Sequence, residues 1–381
     1  MRVRGGVDRY RILICSILLA GICVAVTGCG RKQEVSLDPA SLLKVAQDYG
    51  KAKQSVAVVS AAPKRGEPSA ASLPTEAEYV QQIRSLFNDW NWDQLEKAAH
   101  DARTSKARVL GGGWKLYMFY DAVTAPPEPA SGTTTDSDWT NHIEALKQWA
   151  ATKPESATAL IAQAFAYYSF GLEARGGGYA DTVTPEGWKL LEERNEKAAA
   201  LLVEASRRIE KCPFWYEVMQ DVALQQGWTK EQELQLLNAA IQFEPDFYHF
   251  YREHANYLLP KWYGEEGETQ AFAEEISARV GGQQGEFLYF EIGSMLACQC
   301  DPNRNTLEGL SWPRLKEGYT ALGELYGVSN MKANRFAMMA YLEKDKAAAQ
   351  PAFEKIGNNW EDRVWRKRQD FDDAKAWAMS P

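Results

Sequence analysis

The chain has 381 residues and a formal net charge of −8, with 25% charged residues. Binding to nucleic acid or to anionic lipid headgroups requires clustered positive charge, which an acidic chain does not favour. The sequence therefore predicts no nucleic-acid partner.

The N-terminus has the order of charged and apolar residues that is typical of a secretory signal peptide. An apolar run from Ile12 to Val26 follows four arginines, Arg2, Arg4, Arg9 and Arg11. This run is too short to span a bilayer comfortably as a helix. We expect residues 1–28 to be a signal peptide, and its removal takes away four Arg and one Asp, which changes the net charge from −8 to −11.

The apolar run ends in Val26-Thr27-Gly28-Cys29, which resembles the lipobox of bacterial lipoproteins. The resemblance implies cleavage after Gly28 and acylation of Cys29, and several acyl chains would hold the mature protein on a lipid bilayer. Gly30 stands where many inner-membrane lipoproteins of Gram-negative bacteria have Asp. The resemblance therefore favours the outer membrane, facing the periplasm, over the inner membrane. The alternatives are an uncleaved signal anchor and ordinary signal-peptidase cleavage.

Four cysteines remain after removal of the signal peptide. Cys29 carries the lipid, and Cys212, Cys298 and Cys300 would enter an oxidising compartment. An odd number leaves one thiol free or in an intermolecular bond. The candidate disulfide joins Cys212 to Cys298 or Cys300. A Cys-x-Cys metal site is less favoured, because the neighbouring sequence has no further ligands at suitable spacing.

Residues 29–74 contain few aromatic residues and include a stretch rich in Ala, Ser and Pro from Ser60 to Pro74. This composition is typical of a flexible tether. We expect the segment to hold the folded domain away from the lipid surface, with a short helix near Ala40 to Tyr49.

Residues 75–381 are predicted to be all-α, because large apolar side chains recur at helical spacing and alternating β-branched runs are almost absent. Prolines and glycines divide the region into segments of the length of single helices. The segments expected to be helical include Ser156–Arg175, Pro185–Lys211, Pro213–Trp228, Lys230–Phe243, Asp246–Leu259, Glu268–Val280, Glu286–Cys298, Trp312–Tyr326, Met331–Leu342, Lys346–Ile356 and Trp360–Met379. Successive segments form antiparallel pairs, which indicates an α-solenoid.

The central pairs resemble the tetratricopeptide repeat family, in which small residues stand where two helices cross. Ala240 precedes a proline that closes its helix, and Tyr251 and Ala255 follow at the places of the family's Trp and Gly. The spacing from Pro213 to Pro245 is 32 residues, near the family period, and no consistent period continues afterwards. The resemblance implies an irregular tetratricopeptide-like solenoid that binds a peptide or protein along a groove.

The C-terminal half is also similar to an uncharacterised bacterial family of helical-repeat proteins. The similarity lies in Tyr257–Gly264 and in Phe353–Gly357, which runs into Trp360 and Trp365. It favours the same fold and implies no function.

The sequence offers no clear catalytic or metal site. His249 and His254 lie five residues apart, about 140° around a helix axis, so they are not expected to bind one metal ion. The sequence has no nucleophile elbow, phosphate loop or dinucleotide motif, and no cofactor is predicted. Adjacent carboxylates such as Glu192-Glu193 are typical of solvated helix faces. A pair of carboxylates from distant helices, as in all-α glycosidases, stays open as an alternative.

The aromatic content is high, with 13 Trp among 12% aromatic residues. Most of these rings are expected in the core, and some are candidates for a ligand-binding groove. The candidate binding residues are Tyr167, Tyr168, Tyr216, Tyr248, Tyr251, Trp262 and Tyr263. The predicted function is that of a membrane-anchored protein-binding or scaffolding lipoprotein of the cell envelope, without a catalytic centre. The alternatives are an all-α hydrolase acting on a cell-wall polymer and a purely structural envelope protein.

Overall fold

The computed structural model describes residues 36–56, 73–127, 134–178, 180–298 and 307–380, so the predicted signal peptide and Cys29 lie outside the described residues. Within these ranges the chain folds into helices, and β pairing is limited to one isolated bridge between Arg108 and Trp114. The prediction of an all-α fold is confirmed. No helix in the described ranges is both long and apolar enough to cross a bilayer.

The helices follow one another with short connections. They are α1 (Pro39–Val56), α2 (Glu76–Asn88), α3 (Trp92–Ser105), α4 (Lys115–Thr124), α5 (Asp136–Thr152), α6 (Ala157–Arg175), α7 (Pro185–Ala205), α8 (Phe214–Gln226), α9 (Lys230–Phe243), α10 (His249–Tyr257), α11 (Glu268–Val280), α12 (Gly282–Cys298), α13 (Trp312–Tyr326), α14 (Asn330–Leu342), α15 (Lys346–Ile356), α16 (Asp362–Trp365) and α17 (Arg368–Met379). A short 3₁₀ turn, Ala180–Thr182, precedes α7.

Side-chain caps determine where several helices begin. Thr75, Thr135 and Thr229 each accept a hydrogen bond from the backbone N–H three residues later, and the side chain at that position bonds back to the threonine N–H. This reciprocal capping box satisfies backbone donors that a helix start leaves free. At the other end of α8, Gly227 has a φ of +67°, a left-handed conformation that glycine adopts without strain.

The helices pack in an alternating pattern. Each of α4, α6, α8, α10 and α12 contacts the next even-numbered helix, and each helix between them packs against at least one of its neighbours in the chain. This is the contact pattern of stacked helix pairs. The superhelical arrangement that defines a solenoid stays a prediction.

The pair α6 and α7 illustrates how composition permits close packing. Helix α6 is rich in alanine and buried over most of its length. A Cβ on Gly187 would lie 2.8 Å from the carbonyl oxygen of Ala174, and one on Gly171 would lie 3.1 Å from Leu191. Small residues at these points therefore let the two helices approach closely.

Helix α1 is part of the folded domain. Leu42, Ala46 and Tyr49 are buried, and α1 packs against α8 and α9. The hydroxyl of Tyr216 donates to the carbonyl oxygen of Ala46 at 2.7 Å. The predicted short helix in this region is confirmed. The prediction that residues 29–74 form a free tether is wrong over α1, because the apolar residues of α1 form one face that the domain covers.

The largest differences between the predicted and the observed helices occur at two places. The helix expected over Pro185–Lys211 ends at Ala205, because the Lys211 ammonium bonds two of the carbonyl oxygens that follow the helix. The helix expected over residues 360–379 is divided into α16 and α17 by Arg366, whose φ is +59°. A left-handed residue at this point cannot continue α16.

Asn334 joins α14 to the C-terminal segment. Its side-chain N–H donates to the carbonyl oxygen of Asn359 at 3.1 Å, and its oxygen accepts from Trp365 Nε1 at 2.8 Å and from the Glu361 N–H at 3.3 Å.

We expect Asn334→Leu to lower the free energy of unfolding by about 2–4 kcal/mol, because these buried groups lose their partners. Urea denaturation measures the loss. The exposed Gln350→Leu serves as control, and a loss of less than about 1 kcal/mol for Asn334→Leu would contradict this role.

Candidate functional site: a polar cleft

The loop between α3 and α4 contacts the C-terminal helices. In this loop Gly111 and Gly112 have φ values of +92° and +82°. The Gly111 N–H donates to the carbonyl oxygen of Tyr326 at 3.3 Å. A Cβ on Gly112 would lie 2.8 Å from the rings of Phe287 and Tyr326, so both backbone conformation and space require glycine.

Arg108 connects this loop by hydrogen bonds to the segment just before α10. Its guanidinium donates to the carbonyl oxygens of Gly112 and Asp246, both at 3.0 Å. The same group lies 4.6 Å from the ring centroid of Trp114 and 5.4 Å from that of Tyr248. Burial lowers the pKa of Arg108, but an arginine keeps its charge in proteins. Arg108 therefore adds a fixed positive charge to this wall.

A cavity of about 160 Å³ lies between this loop, α4, α10, α12 and α14. We call it the polar cleft. Its positively charged lining residues are Arg108, Arg252, Lys332, Arg335 and Arg363, and its acidic lining residues are Glu76, Asp121 and Glu291. Cations thus outnumber carboxyl groups at this point, although the whole chain carries a net charge of −8.

Glu291 on α12 is the centre of a buried group of charges. Its carboxylate accepts a hydrogen bond from Lys332 Nζ at 2.7 Å, and Arg252 Nη1 lies 3.8 Å from it. Arg335, one turn after Lys332 on α14, has its Nη1 3.5 Å from the Ser294 hydroxyl. Three positive charges therefore surround one negative charge. We call these four charged side chains the ion group.

The pKa values of the ion group reflect both burial and the neighbouring charges. Burial opposes ionisation of Glu291, but the charges of Lys332 and Arg252 outweigh it and lower its pKa. Burial lowers the pKa of Lys332 to about 8, and repulsion by Arg335 and Arg252 acts in the same direction. A lysine beside a carboxylate ordinarily has a raised pKa. The lowered pKa of Lys332 therefore shows that burial and the two arginines together outweigh the attraction of Glu291.

This shift predicts a specific pH dependence of stability. As the pH rises from about 8 to 9.5, folded Lys332 releases its proton whereas an unfolded lysine keeps it. The unfolded state then binds more protons, so the contribution of Lys332 to the free energy of unfolding rises by about 1–2 kcal/mol. Urea denaturation of wild type and of Lys332→Met across this pH range measures the contribution, which is the difference between their free energies of unfolding. A difference that stays constant with pH would contradict the shift.

His249 lies between the polar cleft and α8. Its ring stacks on Tyr117 with the centroids 3.8 Å apart, and its Nδ1 lies 3.6 Å from Glu217 Oε1. Burial, together with the charge of Arg252, holds the pKa of His249 well below its ordinary value. The imidazole is therefore neutral at physiological pH.

Three carboxyl groups lie together beside His249, on α8 and α10. Burial raises the pKa of Glu217 and Asp221 well above the ordinary range, and the charge of Glu253 adds to both shifts. Burial also raises the pKa of Glu253. Buried carboxyl groups of this kind hold their protons at higher pH and are candidates for acid–base chemistry.

The two histidines singled out in the sequence have different partners. His254 contacts Glu233 on α9, and Glu233 accepts a hydrogen bond from Gln220 at 3.2 Å. His249 faces Glu217 instead. Among the residues whose placement the structure describes, no group of three or more His, Cys, Asp and Glu side chains is placed to hold a metal ion.

Cys212 is buried just before α8 and forms no disulfide with a residue whose side chain the structure describes. Its sulfur lies 3.5 Å from the Tyr120 hydroxyl, and its N–H donates to the Tyr49 hydroxyl at 2.7 Å. The side chain of Cys298 and the whole of Cys300 lie outside the described residues. The disulfide from Cys212 to either of them stays a prediction.

Four of the seven candidate aromatic residues are buried, namely Tyr168, Tyr216, Tyr248 and Tyr251. The hydroxyl of Tyr251 donates to the carbonyl oxygen of Pro245 at 3.0 Å, and Tyr168 bonds to Asp221. Tyr168, Tyr216 and Tyr251 pack inside the protein and do not line an open groove, because large rings also fill the space between stacked helices. Tyr248 lines the polar cleft.

The other three candidates reach the surface. Tyr167 and Trp262 are half-buried, and Tyr263 is 38% exposed. The guanidinium of Arg175 lies 5.9 Å from the ring of Trp262 and 5.3 Å from that of Trp188. Arg175, Trp188, Trp262 and Tyr263 form what we call the Trp262 surface, and none of them lines the polar cleft.

The charged residues of the polar cleft were not among the candidate residues predicted from the sequence. Arg252 lies inside the segment that contains the two histidines, and Lys332 and Arg335 stand three residues apart on α14. That spacing places two cations on one helix face. A cationic helix face is ordinarily solvated, so sequence alone gave no reason to expect its burial under the α3–α4 loop.

Comparisons with protein-family models, with curated proteins and with solved structures found no match to this chain. The tetratricopeptide resemblance therefore stays an expectation. A function is therefore inferred from the geometry and charge of the polar cleft.

Proposed function

We propose that the protein is a lipid-anchored binding protein of the bacterial cell envelope that takes part of a peptide or protein partner into the polar cleft. The observation that carries the proposal is a set of buried polar atoms without partners. Arg252 and Arg335 line the cleft, and the Nε atoms of both have no hydrogen-bond partner among the described residues. Buried polar atoms are nearly always bonded in native proteins, so each exception needs an explanation. A ligand that bonds these atoms provides one.

The membrane anchor is proposed from the sequence around Cys29, with the outer membrane facing the periplasm as the favoured location. Nine residues separate Cys29 from Pro39, where α1 begins. Such a segment reaches at most about 30 Å when fully extended. The anchored domain would therefore stay close to the bilayer, since α1 is packed on the domain.

Labelling of growing cells with a palmitate analogue tests the anchor. Wild-type protein is expected to carry the label and to sediment with membranes. Cys29→Ser is expected to lose the label while keeping the same helical content by circular dichroism. Labelled Cys29→Ser, or unlabelled wild type, would overturn the anchor.

Affinity capture from envelope extract tests the binding function. The bait is the lipidated protein in detergent, compared with Arg335→Met in the polar cleft, the double variant Trp262→Ala, Tyr263→Ala on the Trp262 surface, and the exposed Arg279→Met as control. A polypeptide lost with Arg335→Met alone would support binding in the cleft. Loss only with the double variant would move the binding site to the Trp262 surface. Capture that no variant changes would contradict a specific site.

A hydrolase acting on a cell-wall polymer is the second candidate, because Glu217, Asp221 and Glu253 provide buried carboxyl groups with raised pKa values. A glycoside hydrolase requires one such group as general acid. Release of reducing ends from purified peptidoglycan, abolished by Glu217→Gln, would favour this candidate. Absence of release under conditions where a known muramidase is active would remove it.

A further inference from the structure

We infer that the polar cleft binds a carboxylate group of its ligand among Arg252, Lys332 and Arg335. The inference rests on the proposed binding function and adds the chemical class of the ligand. In a polypeptide the carboxylate comes either from the C-terminal chain end or from an Asp or Glu side chain.

The charge balance of the ion group is the first argument. The Lys332 side chain is 12% exposed and that of Glu291 is 7% exposed, so their charges are largely removed from water. Buried cations are strongly unfavourable unless an anion compensates them. Glu291 compensates one of the three cations that surround it. A bound carboxylate would compensate a second.

Neighbouring carboxyl groups supply only part of this charge, because Glu217 and Glu253 attract Arg252 while burial opposes their ionisation. Burial raises the pKa of Glu217, of Glu253 and of Asp121, which favours their neutral forms. Glu76 lies 3.8 Å from Arg363, in a pair whose arginine is 67% exposed. A bound carboxylate would add to this partial compensation.

The unpartnered arginine atoms are the second argument. An arginine offers Nε–H and Nη–H along one edge of its guanidinium, and this edge matches the two oxygens of a carboxylate. Arg252 Nε and Arg335 Nε are both buried without a partner among the described residues. The carboxylate of Glu291 already lies among these cations, so a group of the same chemistry fits their charge.

The size and walls of the cleft limit what accompanies the carboxylate. A cavity of about 160 Å³ admits a residue or two rather than a folded surface. Part of its wall is apolar and includes Val109, Leu110, Met118, Phe287 and Met331. The ligand that fits is a short peptide segment in which a carboxylate stands next to an apolar side chain.

Isothermal titration calorimetry on the lipidated protein in detergent, at pH 7 and low salt, tests the inference. The probes are an N-acetylated tripeptide that ends in leucine with a free carboxylate, the same peptide with a C-terminal amide, an N-acetylated and amidated Asp-Leu peptide, and inorganic phosphate. We expect the free carboxylate to bind at least about tenfold more tightly than the amide, because one charged partner is lost. Binding of the Asp-Leu peptide in place of the chain end would identify the side chain as the source of the carboxylate.

Variants locate the site. Arg335→Met is expected to weaken binding of the carboxylate peptide by about tenfold or more, and Arg279→Met to leave it unchanged. Equal binding of acid and amide by wild-type protein together with no binding of the Asp-Leu peptide, or phosphate binding as tight as that of the carboxylate peptides, would overturn the inference without any variant. If a captured protein is nevertheless lost with Arg335→Met, the proposed binding function stands and only the assignment of a carboxylate ligand is wrong. If the carboxylate peptides show no preferential binding and no captured protein depends on Arg335, both proposals are wrong.

Discussion

Glu291→Gln is expected to destabilise the protein and at the same time to strengthen its binding of a carboxylate. Glu291 is 5% exposed and is the only carboxylate within hydrogen-bond distance of Lys332 among the described residues. Removing one partner of a buried ion pair costs about 3–5 kcal/mol, because the other charge stays buried without compensation. The same change leaves three cations facing any anion that enters, so affinity for the carboxylate peptide should rise by about tenfold.

Urea denaturation and calorimetric titration measure the two effects on the same preparation. Glu275→Gln is the matched control, because Glu275 pairs with Arg279 on the exposed face of α11 and should contribute less than about 1 kcal/mol. The carboxylate peptide should also raise the unfolding midpoint of Glu291→Gln more than that of wild type, since it binds only the folded state. A Glu291→Gln variant that is less stable and binds the peptide no better would show that the ion group is structural.

Tyr49→Ala is expected to have the largest effect on stability among changes in α1. The Tyr49 ring stacks on Trp215 with the centroids 4.3 Å apart and meets the edge of Tyr216 at 5.5 Å. Its hydroxyl accepts from the Cys212 N–H at 2.7 Å. Removal of a buried aromatic ring costs about 3–5 kcal/mol, and here it also leaves a buried N–H without its acceptor.

Urea denaturation and hydrogen exchange of α1 together measure this effect. Tyr49→Phe keeps the stacked ring and should lose about 1–3 kcal/mol, which separates the hydrogen bond from the packing. Lys44→Ala, at an exposed position of the same helix, should change stability by less than about 0.5 kcal/mol. A loss of under about 1 kcal/mol for Tyr49→Ala, with α1 exchanging as slowly as in wild type, would contradict the placement of α1 in the core.

Local signals in the sequence were sufficient for several helices. Lys230–Phe243 was predicted with the bounds that the structure has, because Thr229 begins it with a capping box and a hydrophobic stripe continues to Phe243. Glu268–Val280 was also predicted with its bounds, since Gly281 ends it with a positive φ. Start and stop signals of this kind act within a few residues, so they can be read along the chain.

Contacts between distant parts of the chain could not be predicted in this way. The composition after α1 resembles a linker, and nothing near Tyr49 in the sequence indicates that it packs on Trp215. The polar cleft could not be predicted for the same reason, because Arg108, Arg252 and Glu291 belong to three segments that are distant along the chain. Each looks like an ordinary surface charge until the α3–α4 loop covers the group.

Site-specific photocrosslinking in intact cells tests the central claim most directly. A benzoylphenylalanine placed at Met331, in the wall of the polar cleft, is compared with one placed at Trp262 and one at the exposed Met379. The account predicts a polypeptide adduct at Met331 that disappears when Arg335→Met is added, and no adduct at Met379. Adducts at Trp262 with none at Met331, or a Met331 adduct that Arg335→Met leaves unchanged, would contradict a ligand held by the cations of the polar cleft.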